Sequence, residues 1–402
     1  MPRPLRPVRP SWVLVVAAVI GTASCSGSPA EEEPVGGPAP AHTDPVQNGD
    51  ANTDPGSASA PAPATDEPTG GTTEPRVEAG EVAVAETIAT GLHTPWDVDF
   101  LADGSALVSL RDTGEVLRIT TDGEVSPVVA DGPDGAVPDV HHETEDGLLG
   151  LAEGPEGGIY LYLTTSADNR VVRYDLEGDT LVNPRVILDG IPTERTHSGG
   201  RLAFGPDGYL YITTGDARQT DLSQDTDSLA GKILRVTTEG EPAPGNPFDN
   251  EVWSYGHRNV QGLGWTSDGR MYASEFGSDK FDELNLIEAG GNYGWPLIEG
   301  WAGDPDYVDP LVTWETDEAS PSGIAVTDEG VWMSALRGER LWFVPLGPDG
   351  EVGDPVEHDL DLGRLRAVVT APDGALWVVT SNTDGRGDPS ADDDRIVRVV
   401  AP

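Results

Sequence analysis

Residues 196–216 read T-H-S-G-G-R-L-A-F-G-P-D-G-Y-L-Y-I-T-T-G-D and contain both a turn-and-strand unit and one histidine, His197. The unit is the Pro-Asp-Gly turn followed by a run of β-branched and aromatic residues, a pattern that predicts a turn leading into a buried strand. Helical periodicity is nearly absent after residue 80, so the folded part of the chain is predicted to be all-β.

The turn-and-strand unit recurs along the chain. Six copies begin at Leu101, Pro155, Pro206, Ser267, Thr327 and Pro372. Their spacing of about 45 to 60 residues fits one four-stranded sheet per copy, which predicts a six-bladed β-propeller.

A shorter apolar strand precedes each copy, and we expect these six strands to line the central channel of the propeller. The loops just ahead of them would then meet at one end of the channel, where a functional site belongs. These loops hold residues 93–97, 145–146, 197–201, 258–261, 320–322 and 364–366.

The first 80 residues differ from the rest in composition. Arg3, Arg6 and Arg9 precede a short apolar run that ends in small residues at Cys25, an arrangement typical of a lipoprotein signal peptide over 1–25 with Cys25 as the acylated residue. An ordinary cleaved signal is the alternative. Residues 26–80 are rich in Gly, Pro, Ala and acidic residues and are predicted to form a disordered tether ahead of a propeller domain over 81–402. We therefore expect an exported protein, held at the cell surface or periplasmic membrane only by a lipid anchor.

The charge balance limits the function classes. The chain has 70 acidic and 24 basic residues, a formal net charge of -46. Nucleic acids and anionic lipid headgroups are poor partners for such a chain, because binding phosphate needs clustered Lys and Arg. Arginines at the predicted site therefore suggest a small anionic ligand or cofactor.

Four predicted site residues have side chains that suit a particular reaction or ligand. His197 could act as a general base for an alcohol whose carbon loses a hydride, and Asp216 could orient its ring. Arg258 and Asn259 offer a guanidinium and an amide for the carbonyl oxygens of a planar cofactor. A histidine satisfying a tight turn, and an arginine bridging two blades, are the alternatives.

Arg364 and Arg366 are separated by one residue, so they face the same side of an extended segment and could bind carboxylates. Ion pairs with the abundant acidic residues are the alternative. The segment 275–296 combines carboxylates, loop carbonyls and glycine turns, the oxygen ligands that Ca²⁺ prefers, although a solvated acidic loop has the same composition.

The chain resembles the soluble quinoprotein sugar dehydrogenases, which include the aldose sugar dehydrogenases and soluble glucose dehydrogenase. The resemblance rests on G-L-H-T-P-W-D, E-D-G-L-L-G-L-A, H-S-G-G-R-L-A-F-G-P-D-G, G-H-R-N-V-Q-G and D-E-L-N-L-I-E-A-G-G-N-Y-G-W-P, in this order from about residue 82 to the C-terminus. It implies a six-bladed propeller that binds pyrroloquinoline quinone (PQQ) and Ca²⁺.

The resemblance also implies roles for individual residues. His197 matches the family's base, which takes the proton of the sugar's anomeric hydroxyl. The cofactor contacts fall on Glu145, Arg258, Asn259, Arg337, Arg364 and Arg366, with Glu145 close to the substrate. A calcium ion beside the quinone would be held by the carbonyls of Gly277 and Ser278, and a structural calcium ion by Glu283 and the main chain at Tyr293.

Departures from the family pattern concern the same site. Arg337 replaces a lysine that approaches the quinone, and Ser278 replaces a proline of the calcium loop. Thr196 and Glu145 replace an aspartate and a glutamine of the glucose enzyme, and the long inserts of that enzyme are missing. The compact aldose dehydrogenases are therefore the nearer relatives.

These observations together predict a dehydrogenase that oxidises aldoses at the anomeric carbon to lactones and passes the electrons to a separate acceptor. A propeller that only binds a ligand or partner is one alternative. A metal-dependent sugar-lactone hydrolase is another, but the predicted hub loops lack an obvious set of metal-binding side chains.

Overall fold

The computed structural model describes residues 82–401. The predicted signal peptide, Cys25 and tether lie outside these residues and stay predictions. The described residues form six four-stranded antiparallel sheets, with two short 3-10 helices, Pro133–Gly135 and Thr220–Gln224, in loops. None of the described helices is long and apolar enough to span a lipid bilayer.

The first three sheets, blades 1 to 3, follow one another along the chain. Blade 1 consists of β2 (Pro95–Phe100), β3 (Ala106–Leu110), β4 (Val116–Ile119) and β5 (Val125–Val128). Blade 2 consists of β6 (Leu148–Glu153), β7 (Gly158–Thr164), β8 (Asn169–Glu177) and β9 (Thr180–Ile191). Blade 3 consists of β10 (Leu202–Phe204), β11 (Leu210–Thr213), β12 (Lys232–Val236) and β13 (Val252–Tyr255).

The other three sheets complete the ring. Blade 4 consists of β14 (Val260–Trp265), β15 (Met271–Glu275), β16 (Phe281–Ile287) and β17 (Val312–Glu315). Blade 5 consists of β18 (Pro321–Val326), β19 (Gly330–Ala335), β20 (Arg340–Pro345) and β21 (Val356–His358). Blade 6 joins the two ends of the described chain and consists of β22 (Leu365–Thr370), β23 (Leu376–Thr380), β24 (Ile396–Val400) and β1 (Ala83–Ala89).

The predicted six-bladed β-propeller is confirmed. Each repeated turn lies between the first and second strands of a blade, and Gly208 in the Pro-Asp-Gly turn of blade 3 has the positive φ, 79°, that glycine adopts readily. The second strands are buried on both faces, as β7 and β19 show at every residue. Because neighbouring blades cover both faces of the sheet, these strands are continuously apolar rather than alternating.

Apolar side chains pack between the blades. In the described residues they form six clusters. Five lie between two neighbouring blades, and the one between blades 2 and 3 also includes Trp96 of blade 1. The innermost strands surround a cavity of about 300 Å³ on the channel axis. Arg201 of blade 3 crosses this channel: it pairs with Asp97 of blade 1, and its Nε donates to the carbonyl of Gln261 of blade 4 at 2.9 Å. It also lies over the Trp96 ring, 4.4 Å from the centroid.

Candidate active site

His197 lies in the loop between β9 and β10, in a left-handed backbone conformation with φ of 63°. That conformation is unusual for a residue with a side chain, and it persists only where the surroundings enforce it. The main-chain N–H of His197 donates to Glu145 Oε2 at 3.2 Å. Its carbonyl packs so closely on Gly215 that a Cβ there would lie 1.7 Å from the oxygen. The backbone of His197 is therefore fixed from two sides.

The His197 ring lies between a carboxylate and a guanidinium group. Its Nδ1 lies 2.8 Å from Asp216 Oδ1, and its Nε2 lies 3.0 Å from the NH2 group of Arg258. A guanidinium can only donate hydrogen bonds, so a hydrogen bond from Arg258 requires a lone pair on Nε2. The proton of the neutral ring then sits on Nδ1 and is donated to Asp216. This tautomer leaves Nε2 able to accept a proton.

Asp216 is fully buried and accepts further hydrogen bonds from the indole of Trp295 at 2.9 Å and the main chain of Arg218 at 2.7 Å. Burial by itself would raise the pKa of this carboxyl. The hydrogen bond from His197, with these other donors, outweighs burial and holds the pKa of Asp216 below its ordinary value. Asp216 is thus an anion beside the imidazole.

Arg258 and Asn259 hold the loop of His197 from blade 4. The side-chain oxygen of Asn259 accepts the main-chain N–H of Gly199 at 2.9 Å. Arg258 lies over the Trp295 ring, 5.5 Å from its centroid, and its buried Nε has no hydrogen-bond partner. Burial lowers the pKa of Arg258, and the nearby carboxylates of Asp216 and Glu275 oppose that effect.

A cavity of about 360 Å³ opens next to this group. Four predicted site residues line it, together with five others: Glu145, Arg337, Arg364, Arg366, Gln261, Phe276, Ser320, Leu336 and Arg386. His197 and Arg258 lie beside the cavity rather than in its wall. They are joined to it through Glu145 and through Phe276, whose carbonyl accepts from Arg258 at 3.4 Å.

Arg364 and Arg366 do face the same side, as their spacing predicts. The NH2 groups of Arg364 and Arg366 lie 2.9 Å and 3.9 Å from the same oxygen of Asp384, and Arg366 also donates to the side chain of Gln261 at 2.9 Å. The Nε of Arg364 is buried without a partner. Burial, and then the neighbouring charge of Arg111, lower the pKa of Arg366 to about 9. The single carboxylate of Asp384 therefore pairs with both guanidinium groups, so the two arginines together with this carboxylate keep a net positive charge.

Arg386 and Asp384 were not singled out by the sequence. They lie between β23 and β24, in an acidic segment outside the repeat, where no pattern marks them. Arg386 is half exposed and pairs with Glu145 Oε1 at 2.8 Å across the cavity. Burial would raise the pKa of Glu145, but Arg386 and the hydrogen bond from His197 lower it below its ordinary value. Arg337 also lines the cavity and is exposed.

The predicted calcium residues meet on the other side of Arg258. Gly277, Glu283 and Tyr293 line a small space of about 10 Å³ together with Arg258, Glu275, Phe276, Trp295, Ile298 and Glu299. Ser278 follows in the adjacent turn, where Glu299 Oε1 accepts the main-chain N–H groups of residues 278–281 at 2.7 to 3.3 Å. Burial, and then repulsion by Glu275, raise the pKa of Glu283 to about 8.

No group of three or more His, Cys, Asp or Glu side chains within residues 82–401 is arranged to hold a metal ion. A cation in the space beside Glu283 would therefore depend on main-chain carbonyl oxygens as well as on carboxylates.

The fold and the site together define a class: a six-bladed propeller with a histidine and an arginine-lined cavity at one end of its channel. Residues 92–395 match the family described as glucose/sorbosone dehydrogenase. The chain belongs to this family, and the resemblance to quinoprotein sugar dehydrogenases is confirmed.

Solved structures and characterised proteins agree with this assignment. The PQQ-bound form of an aldose sugar dehydrogenase from Streptomyces coelicolor is 49% identical, with a TM-score of 0.75 over 80% of this chain and 98% of that one. Aldose sugar dehydrogenase YliI of Escherichia coli is 29% identical over 75% of this chain and 90% of its own length. Quinoprotein glucose dehydrogenase B of Acinetobacter calcoaceticus is 31% identical over 56% of this chain and 54% of its own length.

Proposed function

We propose that this protein is a PQQ-dependent dehydrogenase that oxidises the anomeric hydroxyl of aldose sugars to the lactone, with His197 as the general base. The observation that carries the proposal is the hydrogen-bonded series Asp216, His197 and Arg258, which leaves Nε2 as a proton acceptor beside an arginine-lined cavity.

The cavity suits an anionic planar cofactor. In a chain of net charge -46, Arg337, Arg364, Arg366 and Arg386 line one cavity, and Arg258 lies next to it. The buried Nε atoms of Arg258 and Arg364 have no partner, so each has a hydrogen bond left to donate. PQQ has carboxylates and quinone oxygens that can accept such hydrogen bonds, and we assign Arg258, Arg337, Arg364 and Arg366 to it.

The space beside Glu283 suits a calcium ion. Glu283 and the main chain of Gly277 line it, and carboxylate and main-chain carbonyl oxygens are the ligands that Ca²⁺ prefers. Burial and the neighbouring Glu275 raise the pKa of Glu283, so a cation beside it would stabilise its charged form. A divalent cation held by Gly277, Ser278, Glu283 and Tyr293 would have this effect.

When bound, PQQ would supply the hydride acceptor. The chain itself handles the proton: Nε2 of His197 takes it from the anomeric hydroxyl as the carbon loses its hydride and the C=O bond forms. Asp216 stabilises the imidazolium that results, because it is a buried anion already hydrogen-bonded to Nδ1. Arg258 must give up its contact with Nε2 when the substrate hydroxyl arrives, and it is then free to donate to the cofactor.

The test is reconstitution of the purified protein with PQQ and Ca²⁺, followed by dye reduction with a panel of aldoses. We expect reduction with at least one aldose and a lactone as product. The His197→Ala variant should bind PQQ, measured by its absorbance, but lose about 10²- to 10⁴-fold in kcat. His358→Ala, in the outer strand β21, is the control and should keep its kcat.

Failure of the wild-type protein both to bind PQQ and to reduce the dye with any aldose would overturn the enzyme assignment. Unchanged turnover in His197→Ala, with PQQ bound, would remove His197 as the base.

A further inference from the structure

Lys232 is a fully buried lysine at the start of β12 that hydrogen-bonds to no carboxylate. Its ammonium donates to three main-chain carbonyls, those of Leu222 at 2.7 Å, Ser223 at 3.1 Å and Ala230 at 2.5 Å. Burial lowers the pKa of Lys232 to about 7, with Asp225 opposing this effect. Burying a charged amine costs free energy unless its donors are satisfied, and here main-chain carbonyls accept from all three.

The three carbonyls belong to one segment, residues 217–231, which begins directly after Asp216 and contains the helix Thr220–Gln224. The segment lies between the strands β11 and β12 and has no strand pairing of its own. A loop of this length with little regular structure needs anchors if the residue before it is to stay in place.

The segment supports both residues that hydrogen-bond to the His197 ring, in each case through one residue in between. Gln224 donates to the main-chain carbonyl of Trp295 at 2.7 Å, and Trp295 donates to Asp216. The hydroxyl of Ser223 donates to the carbonyl of His257 at 2.7 Å, directly before Arg258. Lys232 therefore holds the segment that supports Asp216 on one side of the imidazole and Arg258 on the other.

We propose that Lys232 is a positioning residue for His197, an inference that rests on the function proposed above. Its ammonium hydrogen-bonds to the carbonyls of residues 222, 223 and 230 and so fixes the segment that supports Asp216 and Arg258. Lys232 does not touch His197 or the cavity. Its effect reaches the reaction through the orientation of the imidazole alone.

The central experiment compares Lys232→Met with Arg235→Met. The first variant keeps most of the length of the side chain and removes its three donors. The second removes a buried cation from the same strand, where Arg235 pairs with Asp207 at 2.7 Å, away from His197. We expect both to lower the melting temperature. Only Lys232→Met should lower kcat, by about 10- to 100-fold, with PQQ affinity and KM changed less than threefold.

Chemical rescue adds a readout that a merely structural role would not give. Lys232→Ala leaves the three carbonyls facing a space that ethylammonium fits, because this amine is smaller than the four non-hydrogen atoms that the substitution removes. We expect this amine to restore kcat in a saturable manner, and ethanol at the same concentration to have no effect. A fall in kcat that is equal in Lys232→Met and Arg235→Met, or the absence of rescue, would overturn the proposal.

Two further arms keep the outcome decisive. If Lys232→Met does not fold, Ser223→Ala replaces it, because it keeps the bonds of Lys232 and removes the one to His257; an unchanged kcat would then count against the proposal. If the wild-type protein oxidises no aldose, the ¹⁵N chemical shifts of the His197 ring still report its hydrogen bonds. They should move in Lys232→Met and not in Arg235→Met, and equal shifts in both would overturn the positioning role.

Discussion

His197 is held by residues from three blades. Glu145 of blade 2 fixes its main chain, Asp216 of blade 3 fixes Nδ1, and Arg258 of blade 4 contacts Nε2. Such anchoring can hold a left-handed backbone that a short loop would not keep by itself. The orientation of the imidazole is thus a property of the ring of blades rather than of the loop that carries it.

Replacement of Asp216 tests this orientation. Asp216→Asn removes the anion beside Nδ1, and because the indole of Trp295 needs an acceptor, the asparagine turns its amide N–H toward Nδ1. The ring then loses both its tautomer preference and the stabilisation of its charged form. We expect kcat to fall about 10²- to 10⁴-fold with a small change in KM, measured by steady-state dye reduction. Asp207→Asn in the same blade is the control. A loss of less than threefold in Asp216→Asn would contradict the assigned tautomer.

At the level of elements, the turn over residues 278–281 is organised by a side chain from another loop. Glu299 Oε1 accepts four main-chain N–H groups of this turn, and the hydrogen bonds from Lys280, Ser278, Phe281 and Asp279 outweigh burial to lower the pKa of Glu299. A turn fixed in this way would hold the carbonyls of Gly277 and Ser278 in place for the main-chain cation site proposed above.

Glu299→Ala should therefore weaken calcium binding. Without the acceptor the four N–H groups compete for water and the turn loosens, so we expect the Ca²⁺ concentration for half-maximal reconstitution to rise about tenfold or more. Glu299→Gln keeps a carbonyl oxygen and should show a smaller rise. Isothermal titration with Ca²⁺ measures both, and equal affinities in all three proteins would refute this role of Glu299.

The site residues next to the repeated strands could be predicted from the sequence, whereas those in loops outside the repeat could not. The strands and the residues next to them, His197, Arg258, Arg364 and Arg366, could be placed because turn and strand patterns recur six times. Arg386, Glu299 and Lys232 act through loops between strands, where contacts depend on the closed ring and leave no periodic pattern. The pairing of Arg364 and Arg366 with Asp384 could not be predicted for the same reason, because Asp384 also lies in a loop between strands.

At the level of the whole molecule, acidic groups are buried inside an already acidic protein. Burial raises the pKa of Asp99, on the inner strand of blade 1, to about 7, although the main chain of Glu153 donates a hydrogen bond to it at 2.8 Å. A carboxyl whose pKa is higher in the folded state stabilises the fold when protonated, and this stability is lost as the pH rises through the folded value.

The carboxyl of Asp99 should therefore lower the free energy of unfolding between pH 6 and pH 8. Asp99 alone contributes a decrease of about 1.4 kcal/mol over this range, and Asp282, whose pKa burial raises to about 6, adds to it near the lower limit. Urea unfolding at both pH values measures the change. In Asp99→Asn the decrease should shrink by about that amount, and an unaltered pH dependence would show that Asp99 titrates normally.

The pairing of β1 with β24 has a consequence for biosynthesis. Ala83 pairs with Val400, so the first described strand can pair only after the last described strand has been synthesised. Blades 1 to 5 are continuous in the chain and can form as the ribosome delivers them, but blade 6 cannot. Until translation reaches residues 396–400, the nascent chain presents two open blade faces and an unpaired strand edge. Closure of the ring therefore requires residues 396–400 to have been synthesised, whatever the order in which the other blades form.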